Sequence, residues 1–345
     1  MNEHTNTHYK YTGVMHIHSV HSDGSGDVWQ ISKAAKDTGL DWVLISDHDN
    51  FDIEEGIFNG VTVLKGEELS PEVSDHYLAL DIDKYLDFQD SPQKNVDLVH
   101  EIGGFGFAVH PDESENRKNK YPPIKWTDKN VIPDGIEIWN WFSQWGDNFD
   151  TTNVFTTVYA HLFRHRLVKK PYRQTLEWWD ELNKNSDKII PAIAGTDAHA
   201  LKVRYVLPLV IFPYKSMFKT LLNEICLREP LAEDFETRKR QILNAVKTGK
   251  NIIFNRRIGQ NPPEFFISDG NTTAFSGENI YLNEKTYLCL NCYKKSDIKV
   301  YKDGKEYISL KSQESRIKIT ETGKYRFEAE INGFGYAYSN PVTVR

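Results

Sequence analysis

The sequence predicts an α/β fold, either an open sheet or a barrel, followed by a small all-β domain. Three observations carry this. Seven short apolar runs recur between Val14 and about Val210, helix signals lie between them, and from about Asn261 onward the text is strands and turns. Runs only about 4–7 residues long and nearly continuously apolar read as strands of a parallel sheet buried on both faces. Their alternation with helices is the signature of an α/β architecture.

The runs are VMHIH (14–18), WVLIS (42–46), VTVL (61–64), HYLALDI (76–82), FGFAV (105–109), GIEIW (135–139) and IIPAIAG (189–195). Between the first two, Asp27 is placed to cap a helix whose apolar positions Val28, Ile31, Ala34 and Ala35 share one face, with Gly39 just past its end. Ser91 followed by Pro92 starts another helix, closed by Gly103-Gly104. After Pro213 the rhythm changes: residues 216–228 and 231–248 read as two helices, the second ended by Gly249. The tail then alternates EFFIS, TYLCLNCY, IKVYKDGKEYISL, RIKIT, YRFEAEI and YAYSNPVTV, with hairpin signals at Asp303-Gly304 and Asn332-Gly333. The expected division is a barrel or sheet with terminal helices over 1–260 and a β-sandwich accessory domain over 261–345.

Composition narrows the function. The chain has 345 residues, 39% hydrophobic and 26% charged, which excludes disorder and collagen-like order. Its net charge is −7, from 42 basic and 49 acidic residues, so no domain-wide basic field exists and no stable nucleic-acid complex is expected. A local basic patch can still hold a small anion. The cysteines, Cys226, Cys289 and Cys292, are too few for a disulfide scaffold, and Cys289-x-x-Cys292 lacks the second pair a structural zinc needs, so buried thiols are expected. The first thirteen residues lack the apolar stretch of a signal peptide, and no run approaches the roughly 18 apolar residues of a membrane helix. A cytoplasmic protein is expected.

The chemistry lies where the apolar runs end. The first yields His16, His18 and then Asp23 in HIHSVHSDG; the second yields His48 in SDHD; the third leads into Glu68 in GEELS. His76 opens the fourth, the fifth delivers His110 in VHP, and the seventh delivers Asp197 and His199 in GTDAH. The C-terminal ends of parallel strands converge on one face, where active sites form. A regular strand points both imidazoles of H-x-H to one side. Nitrogen and carboxylate donors without thiolate suit Zn, Mn or Fe. There is no G-x-S-x-G, P-loop or dinucleotide fingerprint.

Taken in order, HIHSVHSDG, SDHD, GEELS with His76, VHP and GTDAH resemble the motifs of the PHP (polymerase and histidinol phosphatase) family, over roughly residues 12–213. GIEIWN (135–140) and TGKNIIFNRR are similar to the two-domain branch related to carbaryl hydrolase. The resemblance implies a distorted (β/α)7 barrel holding up to three divalent metals. It implies that His16, His18, Glu68 and Asp197 hold one metal, that Glu68 bridges to a second held by His76 and His110, and that Asp23, His48 and His199 hold the third. Glu68, Asp23 and His199 would then carry catalysis. Three dications against three carboxylates leave a positive site that prefers an anion. The expected activity is a phosphoesterase acting on a small phosphate ester through a metal-bridging hydroxide at a trinuclear site. The alternatives are a carbamate, ester or amide hydrolase on the same centre, and a non-catalytic metal-containing binding protein.

Several features stay open at this level. RHRLVKKPYR (164–173) is either a solvated helix end or the source of an arginine, Arg164 or Arg166, that grips substrate phosphate; Lys202 and Arg204 compete for that role. Trp126, Trp139, Trp141, Trp145, Trp178 and Trp179 are core packing, or else Trp141 and Trp145 wall the barrel mouth. Glu137 in GIEIW can support the site, contact substrate or ligate. His21, His161 and His165 are read as non-ligands.

Overall fold

All seven apolar runs become strands, and the seven close into a ring. The computed structural model describes residues 8–115, 117, 122–150, 153–204 and 208–345. The strands are β1 (Tyr9–Ile17), β2 (Trp42–His48), a short β3 (Gly56–Phe58), β4 (Val61–Leu69), β5 (Tyr77–Leu80), β6 (Phe105–Ala108), β7 (Gly135–Asn140) and β8 (Ala192–Ala198). β1 pairs in parallel with β2 and β8, β2 with β4, β6 with β7, and β7 with β8. The ring is completed by β5, which runs antiparallel to both β4 and β6. The expectation of an all-parallel sheet therefore fails at one strand. A continuously apolar run such as HYLALDI carries no direction, and the short connection from β4 to β5 is too brief for the crossover a parallel neighbour requires. β3 adds a hairpin strand on β4.

The helix signals act as written. Asp27 and Gln30 form a capping box at the start of α1 (Val28–Lys36), which buries Val28, Ile31 and Ala35. Ser91 caps α2 (Pro92–Glu101), and Val96 and Val99 pack with Leu69, Tyr77 and Trp126 in the core. α3 (Trp141–Asp147) begins directly where β7 ends, its first turn capped by the Asn140 side chain on the Ser143 N–H. α4 (Val154–Leu162), a 3-10 turn (Arg164–Arg166) and α5 (Arg173–Asn185) come next. After β8 comes a two-stranded ribbon, β9 (Lys202–Arg204) with β10 (Pro208–Val210).

The helix expected over 216–228 is not there. A single turn, α6 (Tyr214–Met217), is followed by a strand, β11 (Leu221–Leu227), with the Cys226 N–H donating to Lys250 O. Six of the seven β11 residues, Asn223 and Glu224 included, are buried, and burial on both faces is the habit of a strand rather than of an amphipathic helix. The second helix exists as α7 (Phe235–Lys247), capped by Asp234.

The chain divides into two compact units, and neither is continuous. One holds Gly13–Trp179 and Ala192–Leu222; the other holds Met1–Thr12, Asp180–Pro191 and Asn223–Arg345. The division expected at 260/261 thus falls inside the second unit, which takes in α7 as well as strands. Those strands are β12 (Asn251–Asn255), β13 (Glu264–Ser268), β14 (Thr273–Ala274), β15 (Asn279–Ile280), β16 (Tyr287–Lys302), β17 (Lys305–Lys318), β18 (Gly323–Ile331), β19 (Phe334–Ser339) and β20 (Val342–Val344). β16 is shared: its first part pairs with β13, its second with β18, and β17 runs beside both parts. Both hairpin signals make tight turns with consecutive positive φ, +49° and +75° at Asp303-Gly304 and +52° and +79° at Asn332-Gly333. Among the described residues no helix is long and apolar enough to cross a membrane.

Candidate metal centre

The barrel brings all nine residues expected as ligands into one cluster. Groups of their donor atoms lie within 4.8 Å of one another: His16 and His18 with Glu68; His16 with His110 and Asp197; His48 with Glu68 and His76; and His18 with Asp23, His48 and His199. These groups overlap differently from the three sets implied by the resemblance, with His18 joining the third set and His48 approaching Glu68. Glu68 is at the centre and has no exposure. Its Oε1 faces His76 Nδ1 at 2.9 Å and His110 Nε2 at 3.1 Å; its Oε2 faces His16 Nε2 at 3.0 Å, His48 Nδ1 at 3.2 Å and His18 Nε2 at 3.3 Å. Asp197 Oδ1 lies 3.2 Å from His18 Nε2, and Asp23 Oδ1 lies 3.2 Å from His199 Nε2. Asp23, its side chain 57% exposed, is where the cluster meets solvent.

The H-x-H pair reaches this arrangement by a different route from a regular pleat. His16 has φ +59°, and the β1–β8 register shifts between Met15 and Ile17, a bulge that re-aims the side chains. The two rings still converge, with centroids 5.2 Å apart.

Four imidazoles are pinned by acceptors on their outer nitrogen. His16 Nδ1 donates to Glu137 Oε1 (2.8 Å), His76 Nε2 to Pro71 O (3.0 Å) and His199 Nδ1 to Asp197 O (2.8 Å). Since a carbonyl or carboxylate oxygen only accepts, a proton sits on each of those outer nitrogens, and the inward nitrogen, which faces a carboxylate of the cluster, is the one a cation would take in exchange for its proton. His48 Nδ1 meets Ser70 Oγ at 2.6 Å, whose own proton goes to Glu68 O, so the same logic leaves His48 Nε2 toward Asp23. His18 is different: fully buried, neither ring nitrogen makes a directed hydrogen bond. Its ring is stacked between His48 and His199, with centroids 4.2 and 4.1 Å away. A buried imidazole with two unsatisfied nitrogens is costly unless something else engages it. Inward-facing ring nitrogens, buried carboxylates and an unsatisfied imidazole are what a divalent cation fits once it displaces the protons they share.

The electrostatics agree. Burial, together with neighbouring His199 and His48, pulls His18 down to about 4, so it is neutral at pH 7. Glu68 and Asp197 are held well below the carboxylate range: burial is the largest single effect and opposes this, but the neighbouring imidazoles together outweigh it, His16 foremost. His16 is itself held well above the imidazole range, burial opposing and Glu68, Glu137 and Asp197 prevailing. His110 is raised to about 9 because Glu68 overcomes the opposing effect of burial. Cation binding at this cluster therefore has to displace protons.

Supporting residues lie around the cluster. Asp47, one residue before His48 in SDHD, accepts from Ser19 N, Ser19 Oγ and Ser22 Oγ, each at 2.6 Å, and so fixes the loop between His18 and Asp23. The Tyr214 hydroxyl accepts from Ser25 N and Gly26 N and donates to His18 O, tying that same loop down. Asp47 carries a signal in the sequence, a carboxylate directly after an apolar run. Tyr214 carries none, since nothing local couples it to His18.

The other residues singled out in the sequence fall outside the cluster. Arg164 Nη2 donates to Ser216 Oγ (2.9 Å), its buried Nε has no hydrogen-bond partner, and no carboxylate among the described residues pairs with it. Arg166 is exposed, with its guanidinium over Phe163. The side chain of Arg204 lies outside the described residues. Trp141 and Trp145 are buried, and the ring that reaches the cluster is Phe142, 5.4 Å from His199. Phe142 continues through Phe212 to Arg164. His161 and His165 sit in this aromatic layer, against Phe212 and Trp141, and His21 is exposed. None of the three joins a donor group. The cysteines are free, with Cys292 buried.

No family model matches the chain, and no curated protein matches it. Among solved structures it is similar to a two-domain protein containing a predicted PHP-like metal-dependent phosphoesterase from Bacteroides vulgatus, at 14% identity and a TM-score of 0.46, over 97% of this chain and 95% of that one. It is also similar to the lesion-specific endonuclease PfuEndoQ from Pyrococcus furiosus, at 15% identity and a TM-score of 0.39, over 78% of this chain and 64% of that one.

Proposed function

We propose that the chain is a metal-dependent phosphoesterase with a PHP-type (β/α)7 barrel, hydrolysing a small phosphate ester at a centre of up to three divalent ions, Zn, Mn or Fe. The observation that carries this reading is Glu68, whose two oxygens each face a different set of imidazoles. That is the geometry of a carboxylate shared between two cations. In the assignment proposed, His16, His18 and Asp197 lie on one side of it, His76 and His110 on the other, and Asp23, His48 and His199 complete a third position. Divalent ions at such a centre would lower the pKa of water toward ~7 and neutralise charge on the phosphoryl oxygens.

The chain's own residues supply the rest. His16, His48, His76 and His199 hold a proton on their outer nitrogens through the acceptors behind them, which leaves the inward nitrogens as the ones to exchange a proton for a cation. Asp23, partly exposed beside His199, faces an incoming substrate. Arg164 donates to His161 O and Ser216 Oγ but has no carboxylate partner among the described residues, so its charge is available to a substrate phosphate. This last feature favours an anionic substrate over the neutral carbamate or ester of the alternative reading. The Phe142 ring beside His199 offers a face for a planar leaving group.

The test is a release panel with metal-loaded protein: para-nitrophenyl phosphate and sugar phosphates against neutral aryl esters and carbamates. Phosphate release should dominate, and Arg164→Leu should raise KM for phosphates by about tenfold or more, the scale of one charged hydrogen bond. Faster turnover of neutral esters, insensitive to Arg164→Leu, would support the carbamate or ester reading instead. No turnover of either class by fully loaded protein would leave the non-catalytic reading.

A further inference from the structure

Three of the nine clustered residues hold backbone conformations that side chains resist. φ is +59° at His16, +32° at His110 and +52° at Asp197, all in or just after barrel strands. Positive φ outside glycine needs support from its surroundings. Two neighbouring side chains of β7 touch all three residues. Glu137 Oε1 accepts from His16 Nδ1 at 2.8 Å, and its Oε2 accepts from the His110 backbone N–H at 2.8 Å. Asn140 Nδ2 donates to the same Glu137 Oε2 at 2.9 Å and lies 3.4 Å from Asp197 Oδ2. Both residues are buried, and Glu137 joins none of the donor groups.

A third residue makes the contact possible. A Cβ at Gly195, in β8, would lie 1.7 Å from Glu137 Oε1 and 2.9 Å from His16 Cβ. Gly195 is not among the glycines with positive φ, so what it provides is space rather than backbone freedom. The carboxylate crosses to His16 over this bare backbone.

We propose that Glu137, Asn140 and Gly195 form a positioning clamp that sets the proton of His16 on Nδ1 and holds His16, His110 and Asp197 in their strained conformations. It rests on the proposed reading only in taking those three as metal ligands. Glu137 is a positioning residue, not a ligand: its oxygens are engaged by three N–H donors, and a carboxylate that only accepts keeps a proton on His16 Nδ1, so Nε2, which faces Glu68, is the nitrogen left to give up its proton to a cation. Glu137→Gln reverses that instruction without changing size. The carboxamide oxygen can still serve His110 N–H and Asn140, which turns the NH₂ toward His16 Nδ1 and drives the proton to Nε2, the atom facing Glu68 and Asp197.

The experiment uses the full chain, ¹⁵N-labelled, metal-free and zinc-loaded, as wild type, Glu137→Gln and Gly195→Ala. Wild type should show a low-field, slowly exchanging His16 Nδ1 proton in both states. Glu137→Gln should lose that resonance in both states and bind about one zinc fewer, while its far-ultraviolet circular dichroism stays native. Gly195→Ala should show the same two losses, because its methyl displaces the carboxylate. A Glu137→Gln protein that keeps the Nδ1 proton overturns the clamp. So does Gly195→Ala with full zinc and an unchanged resonance, since the carboxylate would then reach His16 without the space that Gly195 leaves. If wild type binds no zinc, the metal reading fails on its own, and the metal-free spectra still decide the clamp.

Discussion

Buried charge and left-handed backbone occur in both units of the chain, and they mean different things in each. In the β-rich unit, Arg326 is buried but complete: its Nε and Nη2 grip both Asp180 oxygens at 2.6 Å and its Nη1 meets Glu328 at 2.8 Å. Positive φ at Asp303-Gly304 and Asn332-Gly333 belongs to turns whose type requires it. In the barrel unit, Glu68 is buried among imidazoles, Asp197 among imidazoles and the Asn140 amide, His18 has two unsatisfied nitrogens, and the left-handed residues include three of the cluster itself, His16, His110 and Asp197. An anomaly explained by its own neighbours is architecture. One that its neighbours leave incomplete marks the place where something else binds.

That contrast can be broken by mutation. The largest effect is expected from Arg326→Leu, which strands two buried carboxylates and should cost about 3–5 kcal/mol of stability in urea unfolding while leaving metal content unchanged. A loss of metal there would show that the two kinds of buried charge are not separable. Glu68→Gln should do the reverse. It replaces one bridging oxygen by an NH₂ and removes a charge, so the protein should stay folded, lose metal, and turn over at least about a hundredfold more slowly, roughly 2.7 kcal/mol of barrier. Normal metal and turnover in this variant would move the bridge elsewhere.

The neighbouring carboxyl sharpens the comparison. Glu67 faces away from the cluster, accepts only the Leu86 N–H at 3.0 Å, and leaves its other oxygen without a partner. Burial pushes it up to about 8 from an ordinary 4.5. An acid raised in the folded state holds a proton that the unfolded chain has released, so its contribution is full below 4.5 and declines as pH rises to about 8. Glu67→Gln keeps the neutral form at every pH. Denaturation midpoints of wild type should therefore fall from pH 5 to 8 relative to this variant, whose metal content stays normal; parallel profiles would contradict the assignment. The smallest effect is expected at Gly333, where an added Cβ meets nothing within 4 Å but φ is +79°. Gly333→Ala should cost about 1 kcal/mol and no metal.

Much of the barrel and its cluster is legible in the sequence because each signal is local. Every apolar run becomes a barrel strand, and every expected ligand stands at or near the end of such a run, so the strand order itself gathers them. The direction of β5 is not legible, because burial on both faces leaves no polarity in the pattern. LLNEICL is read as part of a helix over 216–228, and only the burial of Asn223 and Glu224 shows that both faces are covered. Glu137 is visible as a carboxylate in a strand but its contact with His16 is not, because it passes over Gly195 in the adjacent strand. Tyr214 and Arg164 act through contacts with distant segments that no spacing rule connects.

The nine donors of the barrel stand or fall as a metal centre with Glu68 as its shared carboxylate. Elemental analysis after equilibrium dialysis against Zn or Mn, on wild type and Glu68→Gln side by side, tests this most directly. The expected result is more than one divalent ion per wild-type chain, up to about three, and a clear loss in the variant. Less than one ion per wild-type chain, or equal occupancy in the two proteins, would contradict it.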